Sequence, residues 1–243
     1  MDISIIIPCL NEAVTIERAI NSAKLAISAS ELECEVIVVD NGSSDTSSEI
    51  AKGTGVRIVD VPKKGYGIAI HSAIYSAKGQ WVFLGDADLS YDFCELRKFT
   101  PYMRDDLEFK YDVILGSRFN GDMELHAMPF IHRYIGTPFL NCLLYALFGL
   151  KSSDCNSGMR AIRKAFYVTL GNCADGMEWA SDNLARTALA KGKYVEIPIQ
   201  YYKDQRNCKS HLRTWRDGFR NLANLLRLFK KKWVAPSLQL AMQ

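Results

Sequence analysis

The stretch "FLGDADLSYD", residues 83–92, places two acids directly after an apolar run. Trp81 to Leu84 predict a strand buried in the interior of a sheet, and Gly85 ends that strand. Asp86 and Asp88 follow with only an alanine between them. Carboxylates are costly to bury and repel each other at short range. The pattern therefore calls for a positive partner at this end of the strand.

The same alternation of apolar runs and amphipathic stretches extends outward from this segment. It predicts an α/β fold with a mostly parallel sheet and helices on both faces, because the strands read as continuous apolar runs. Further along, the pattern predicts a helical region at about 130–150, a polar loop at 152–162 leading into a short strand, a helix at 177–191 and a strand at 194–201. In the first half, strands are predicted at 3–8, 35–40, 56–61, 80–86 and 112–118, with helices at 12–28, 44–52 and 66–77.

Polar residues stand just after several of these strands. Ligands of parallel sheets bind outside the carboxyl ends of the strands, so these residues are the candidates for a site. Two aspartates one residue apart suit Mg²⁺ or Mn²⁺ shared with substrate phosphates. The alternative is that one acid caps the following helix while the other is solvated. The candidates are Asn11 and Glu12, Asp40, Asp86 and Asp88, and Ser117 and Arg118.

Two common nucleotide-binding signatures are missing from the sequence. The first predicted strand is followed by "PCLNE" and not by GxGxxG, which argues against a dinucleotide-binding unit, and no GxxxxGK[ST] occurs. The segment "KKGYGIA", residues 63–69, has Lys64 and two glycines before a helix. It could help to hold a phosphate or could simply be the turn that leads into the helix.

Composition indicates a globular enzyme in a reducing compartment. The chain has 243 residues, 48% of them hydrophobic, and seven scattered cysteines without a CxxC pair. Reduced thiols fit this pattern better than disulfides. The N-terminus shows no pattern of a signal peptide. We therefore expect a cytoplasmic protein.

Positive charge is concentrated near the C-terminus. Residues 203–232 hold ten basic and two acidic side chains, whereas the whole chain has a net charge of +3. Within 214–233 the apolar residues form one narrow helical stripe, which predicts a helix lying on an anionic membrane surface. A helix packed on the domain with a solvated basic face is the alternative. Nucleic acid is the other possible target of the basic charge, but no recognition module accompanies it, so we expect no nucleic-acid partner. The stripe consists of Trp215, Phe219, Leu222, Leu226, Phe229 and Trp233.

The apolar run 137–150 is too short to cross a membrane as a helix, since it would reach roughly 21 Å. It predicts either a buried core helix or a helix facing the membrane interface or an acceptor. The pattern shows no repeat and no linker. We expect a catalytic domain at 1–205 and a basic loop with an amphipathic membrane-surface helix at 206–243.

Six motifs occur in an order that resembles the inverting family-two glycosyltransferases of the GT-A fold. The branch they resemble most is that of the polyprenyl- and dolichyl-phosphate mannosyl- and glucosyltransferases. The resemblance implies a UDP- or GDP-hexose donor, a divalent metal, and transfer with inversion to a polyprenyl phosphate at the cytosolic face of a membrane. The motifs are "IIIPCLNE", "VIVVDNGSSD", "KKGYGIAIHSA", "GDADLSYD", "ILGSR" and "SGMRAI".

The resemblance also implies roles for single residues. Asp86 and Asp88 would hold the metal and the donor diphosphate, and Ser90 stands where the branch often has a glutamine, so we expect water there. Arg118 would be the catalytic cation beside a phosphate, because guanidinium groups bind phosphate bidentately. Donor-binding residues would be Pro8, Asn11, Glu12, Asp40 and Lys64; acceptor or phosphate contacts would be Arg133, Ser157, Arg160 and Lys209.

The acceptor decides whether a base is needed. A phosphate monoester is already ionised and needs positioning by cations, whereas a hydroxyl of a glycan or lipid needs a general base. Glu178 and Asp182, one helical turn apart, are the candidates for that base; they could equally be ordinary surface or arginine-pairing acids. A third hypothesis is a non-catalytic scaffold that binds nucleotide sugars, and the intact DAD and GSR segments argue against it.

Overall fold

The computed structural model describes residues 1–103, 109–171, 173–206 and 214–240, and in the last range the side chains of 216–230. Lys209 lies outside the described residues. The side chains of Trp215 and Trp233 are likewise not described, so two members of the predicted stripe cannot be placed.

Among the described residues, seven strands form one mixed sheet in the order β3-β2-β1-β4-β6-β5-β7. All neighbours are parallel except β6, which runs antiparallel to both β4 and β5. The strands predicted in the first half and the strand near 194–201 are confirmed. The strands are β1 (Ile3–Cys9), β2 (Cys34–Asp40), β3 (Arg57–Asp60), β4 (Trp81–Leu84), β5 (Val113–Ser117), β6 (Arg160–Arg163) and β7 (Tyr194–Pro198).

In the described ranges, eight α-helices connect and cover the strands. A 3₁₀ turn at Phe93–Glu95 precedes the fourth helix, and a π-helical turn at His132–Gly136 precedes the fifth. The helices are α1 (Ile16–Ser28), α2 (Ser47–Gly53), α3 (Tyr66–Ser76), α4 (Leu96–Met103), α5 (Thr137–Phe148), α6 (Lys164–Thr169), α7 (Trp179–Leu189) and α8 (Thr214–Leu240).

Both faces of the sheet are buried, as the continuous apolar strands predict. Successive side chains of a strand point to opposite faces. Ile5 and Ile7 of β1 therefore join a core that includes Ile20 of α1, whereas Ile6 joins the opposite core with Ile70 of α3 and Leu144 of α5. The β1 side chains named here are fully buried. The layers are helix, sheet and helix, and they fix the strand ends that carry the polar residues.

Helix α5 has one buried and one exposed apolar face. Leu140 and Leu144 belong to the core, while Phe139 and Tyr145 are 54% and 61% exposed. The core-helix alternative describes the buried face, and the membrane-interface or acceptor-facing alternative stays a prediction for the exposed one.

Helix α8 packs on the domain through a face next to the predicted stripe. Leu225 and Leu228 are buried in the core, together with the polar Asn221 and Asn224. Phe219 of the predicted stripe is instead 67% exposed. No helix among the described residues is both long enough and apolar enough to cross a membrane.

Candidate active site

The loops after β1 and β2 are joined by hydrogen bonds at the carboxyl edge of the sheet. The side-chain oxygen of Asn11 accepts from the backbone N–H of Ser44 at 2.7 Å, and the backbone N–H of Asn11 donates to the hydroxyl of Ser43 at 3.0 Å. Asp40 accepts from the N–H of Ser43 at 3.0 Å. Pro8 lies opposite Val39 in the register of the two strands. These contacts bring the predicted donor-binding residues Pro8, Asn11 and Asp40 to one edge.

Asn41 fixes the segment that leads into α3. Its amide donates to the carbonyls of Val61 and Lys63 at 3.0 and 2.8 Å, and its oxygen accepts from the N–H of Gly65 at 2.8 Å. Asn41 is therefore a structural residue of the site's rim. Lys64, between these anchors, has an exposed side chain, which leaves it available to a ligand at this rim.

Asp86 and Asp88 are held by different groups. The hydroxyl of Tyr66, at the start of α3, donates to Oδ1 of Asp86 at 3.2 Å. Oδ1 of Asp88 accepts from the N–H and the hydroxyl of Ser90 at 3.0 and 2.6 Å. Desolvation, and after it the charge of Asp88, raises the pKa of Asp86 above its usual range. The two carboxylates therefore repel each other at this edge, and a cation between them would offset that repulsion, as the sequence indicates.

Arg206 brings positive charge to this edge. Its Nη1 lies 3.1 Å from Oε1 of Glu12, and its Nη2 lies 3.2 Å from Oδ2 of Asp88. Asp204 binds the same guanidinium, through Nε at 2.8 Å. Burial, opposed in part by Arg206, raises the pKa of Glu12 to about 7. Arg206 is thus a positive partner of Asp88 supplied by the chain itself.

Arg118 follows β5 and is held by Asp154. Its Nε and Nη2 donate to the two oxygens of Asp154, each at 2.7 Å, and its backbone N–H donates at 3.0 Å. The guanidinium also lies 5.0 Å from the ring centroid of Tyr201. Within the described part of the chain, these hydrogen bonds occupy Nε and Nη2 and not Nη1.

The π-helical turn before α5 carries the predicted acceptor residue Arg133. Burial, and after it the charge of Arg118, lowers the pKa of His132. The neighbouring Arg133 is half-buried, with its guanidinium 5.5 Å from the ring centroid of Tyr134. Arg133 therefore lies next to His132, whose pKa the charge of Arg118 helps to lower.

Ser157 and Gly158 lie beneath the acidic pair. Gly158 donates its N–H to the hydroxyl of Tyr91 at 2.8 Å, and a Cβ on Gly158 would lie 2.5 Å from Oδ2 of Asp86. The hydroxyl of Ser157 is buried and has no hydrogen-bond partner among the residues that the structure describes. This loop is therefore in contact with the predicted metal ligand.

Arg160 is placed differently from the expectation of a phosphate contact. It is fully buried, and its terminal nitrogens donate to backbone carbonyls, among them that of Ala180 at 2.9 Å. Its guanidinium lies 5.1 Å from the centroid of a Trp179 ring. Arg160 lies opposite Leu84 and Leu115 in the register of the sheet. Opposite residues share a face, so its side chain points into the core that holds these two leucines. In this position Arg160 supports the loop and does not face the cleft.

Glu178 and Asp182 are both paired with arginines. Asp182 is fully buried and accepts from Arg186, Asn224 and the N–H of Ala174, with Arg186 Nε at 2.7 Å. Glu178 accepts from Arg220 at 2.9 Å through one oxygen, while its other oxygen is buried and finds no partner in the described part of the chain. The alternative of arginine-pairing acids describes both positions, and the burial of Asp182 disfavours it as a base.

Four residues of the site were not identified from the sequence: Tyr66, Asp154, Tyr201 and Arg206. Tyr66 lies within the quoted motif "KKGYGIAIHSA", and Asp154 lies in the predicted polar loop at 152–162 just before "SGMRAI", so their position in or beside those motifs was an available signal. Arg206 and Tyr201 lie far along the chain from their partners, and the local pattern does not connect them.

Three comparisons relate the chain to known proteins. Residues 4–171 match the model of the family described as "Glycosyl transferase family 2". The low-salt glycan biosynthesis hexosyltransferase Agl6 of Haloferax volcanii is 32% identical over 224 residues, which are 92% of this chain and 53% of Agl6. The chain thus spans about half the length of that relative. The dolichyl-phosphate hexose transferase of the same organism is 29% identical over 201 residues, 82% of each protein.

Solved structures show the same fold. Glucosyl-3-phosphoglycerate synthase from Mycobacterium tuberculosis, in complex with Mn²⁺, uridine diphosphate and phosphoglyceric acid, matches with a TM-score of 0.69 at 21% identity. The match covers 94% of this chain and 78% of that one. The mostly parallel α/β architecture expected from the sequence is confirmed.

Proposed function

The chain belongs to glycosyl transferase family 2, and on that premise we propose that it transfers a hexose from a nucleotide sugar to a polyprenyl phosphate. The donor occupies the edge formed by Asn11, Glu12 and Asp40, with its diphosphate beside Asp86 and Asp88. The sugar is mannose or glucose, and its configuration at C1 inverts.

The observation that supports a lipid phosphate is a cation beside an exposed apolar surface. The guanidinium of Arg133 lies 5.5 Å from the ring centroid of Tyr134 on the turn that leads into α5, and the charge of Arg118 contributes, after burial, to lowering the pKa of the adjacent His132. The ring centroids of Phe130 and Tyr134 lie 4.7 Å apart on this surface. An amphiphilic phosphate needs a cation for its head and apolar contacts for its chain. The exposed residues of the apolar surface are Leu125, Phe130, Tyr134, Ile135, Phe139 and Tyr145.

The site fits a divalent ion shared with the donor. Within the described residues no group of three or more His, Cys, Asp and Glu gathers as a metal cluster, so Asp86 and Asp88 would share the ion with diphosphate oxygens and water. The guanidinium of Arg206 already lies 3.2 Å from Asp88 as a stand-in cation. When bound, Mg²⁺ or Mn²⁺ would neutralise charge on the departing diphosphate.

The reaction is a direct displacement that needs no base. An ionised oxygen of the acceptor phosphate forms a bond to C1 of the sugar from the face opposite the diphosphate. The bond from C1 to the donor phosphate oxygen breaks, and its electron pair leaves with the nucleoside diphosphate. Arg118 orients the acceptor through Nη1, because Asp154 fixes the rest of its guanidinium.

The proposal also places the protein at the cytosolic face of a membrane. The apolar surface and the exposed Phe219 of α8 would contact lipid, and the basic residues of 203–232 would favour anionic head groups.

The test is a transfer assay with labelled UDP- and GDP-hexoses. Each donor is supplied with Mg²⁺ or Mn²⁺ and with a polyprenyl phosphate or its matching alcohol, and EDTA is added in a parallel series. We expect label in the lipid fraction only with the phosphate and the metal. Transfer to the alcohol and not to the phosphate would reject the acceptor and direct attention to Glu178.

The Asp88→Asn variant tests the metal role in the same assay. An asparagine can still accept from Ser90 through its oxygen, so the fold should be kept, while the second carboxylate oxygen is lost. We expect a loss of turnover of about 100-fold or more. Glu31→Gln, the same kind of change at an exposed position, is the control. Turnover of Asp88→Asn at the level of the control would refute the assignment.

A further inference from the structure

One guanidinium contacts three carboxylates at the acidic edge. Arg206 binds Glu12 and Asp88 at 3.1 and 3.2 Å, and Asp204 receives both its Nε at 2.8 Å and its backbone N–H at 2.7 Å. Its side chain is only 12% exposed. Charge-assisted contacts at this burial are stronger than those at an open surface.

Backbone hydrogen bonds place this arginine. The N–H of Gln205 donates to the carbonyl of Asp88 at 3.1 Å, and the N–H of Tyr202 donates to the carbonyl of Ser90 at 2.9 Å. Arg18 of α1 binds the side chain of Gln205 at 2.7 Å. The chain before Arg206 is therefore tied to the loop after β4, so the guanidinium is directed at Asp88.

The contact uses the oxygen of Asp88 that a metal needs. Oδ1 of Asp88 already accepts two hydrogen bonds from Ser90, and Oδ2 faces Arg206. A divalent ion that takes Oδ2 cannot share it with the guanidinium without placing two cations at one oxygen. Binding of the ion and release of Arg206 are thus coupled.

We propose that Arg206 is the resident counter-cation of the acidic site, and that a divalent ion must displace its guanidinium from Asp88. This inference rests on the proposed function in one respect, the assignment of the metal to Asp86 and Asp88. After displacement, Asp204 retains the arginine beside the site. Arg206 therefore lowers the affinity for free metal ion and keeps the paired acids neutralised when no donor is bound.

The test measures binding of Mn²⁺ to the full chain without donor or acceptor, from the electron paramagnetic resonance signal of the free ion. Apparent affinity is reduced by the fraction of molecules whose site is open. If that fraction is about one tenth, Arg206→Gln should bind Mn²⁺ about tenfold more tightly than the unaltered chain. Lys203→Gln removes the same charge from an exposed position of the same segment. We expect it to change the affinity for Mn²⁺ by no more than about twofold.

Arg206→Lys separates the specific contact from general charge. Lysine keeps the positive charge but cannot bridge the carboxylates as a fork, so we expect an affinity between those of the unaltered chain and Arg206→Gln. Thermal unfolding of each variant reports whether it is folded. If Arg206→Gln binds Mn²⁺ no more tightly than the unaltered chain, the displacement is refuted. It is also refuted if Arg206→Gln binds more tightly but Arg206→Lys binds as the unaltered chain does.

The Asp88→Asn variant distinguishes a wrong role for Arg206 from a wrong metal assignment in the proposed function. If Asp88→Asn binds Mn²⁺ as the unaltered chain does, the metal assignment itself is wrong. If Asp88→Asn loses the ion and Arg206→Gln gains no affinity, the metal assignment stands and only the role of Arg206 is wrong.

Discussion

Gly158 allows the loop before β6 to pass directly against Asp86. A Cβ at this position would lie 2.5 Å from Oδ2 of Asp86 and 3.2 Å from a ring carbon of Tyr91. The first separation is shorter than carbon and oxygen tolerate, and Asp86 has a short side chain with little freedom to move aside. The absent side chain at Gly158 thus sets the position of the carboxylate of Asp86, which is a metal ligand in the proposed function.

Gly158→Ala should therefore weaken metal binding. The added methyl displaces the carboxylate of Asp86, so we expect the affinity for Mn²⁺ to fall about tenfold, with a loss of stability of about 1–3 kcal/mol from overpacking. Isothermal titration with Mn²⁺ and urea unfolding measure the two effects. Gly53→Ala is the control, because nothing lies within 4 Å of its added Cβ. Unchanged Mn²⁺ affinity in Gly158→Ala would show that Asp86 tolerates displacement.

Residues that follow strands were predictable, and their partners were not. Glu12, Asp40, Asp86 and Asp88 gather because the carboxyl ends of parallel strands meet at one edge. Arg206 reaches the same edge through hydrogen bonds of the backbone to the loop after β4, and such bonds leave no mark in a side-chain pattern. The positive partner of Asp88 therefore became visible only in three dimensions.

Asp182 links helices α7 and α8 to the loop before α7. It receives hydrogen bonds from Arg186 of its own helix, from Asn224 of α8 at 2.6 Å, and from the N–H of Ala174 at 3.1 Å. A buried carboxylate with three donors is a structural centre, since each donor is satisfied only while the carboxylate is present.

Asp182→Asn should lower stability and spare catalysis. An amide presents an N–H₂ group to donors where the carboxylate presented oxygen, so we expect a loss of about 3 kcal/mol in the free energy of unfolding. Urea unfolding measures it, with turnover followed at a temperature at which the variant stays folded. Asp175→Asn, at a carboxylate that is 64% exposed, is the control. Normal stability with a loss of turnover of about 100-fold would instead identify Asp182 as a base.

In β6 and α8, the spacing of apolar residues does not predict the strand direction or the packed helix face. Strand β6 has four residues, and its antiparallel direction is decided by its partners β4 and β5. Helix α8 carries a regular apolar stripe, yet it buries Asn221 and Asn224, whose amides bind Ser181 and Asp182 of α7. Polar residues with partners can enter a core, so apolar spacing alone could not select the packed face.

At the scale of the whole molecule, exposed apolar side chains are concentrated on the α5 side. Helix α1 packs on one face of the sheet, and α5 packs on the other. Phe130 and Phe139 on the α5 side are 71% and 54% exposed. A lipid acceptor would therefore approach one side of the protein.

The double variant Phe130→Ser, Phe139→Ser should bind membranes less tightly. Burying one Phe side chain contributes about 1.5–3 kcal/mol, so we expect partition into anionic vesicles to fall by at least about tenfold. Co-sedimentation with vesicles of mixed neutral and anionic phospholipid measures it. Leu25→Ser, at a residue that is 65% exposed on α1, is the control. Equal losses in both variants, or none in the double variant, would contradict a membrane-facing α5 side.

The position of β6 in the sheet determines when, during synthesis, the edge of β4 can become paired. Strand β4, which leads to Asp86, pairs along one edge with β6. While a ribosome has released only the residues before Arg160, that edge of β4 has no strand beside it, and an unpaired apolar edge invites association with other chains. The nascent chain thus contains Asp86 and Asp88 long before β6 is available to pair with β4, the strand that precedes them. Protection of this edge by a chaperone matters most during the interval in which residues 85–159 emerge.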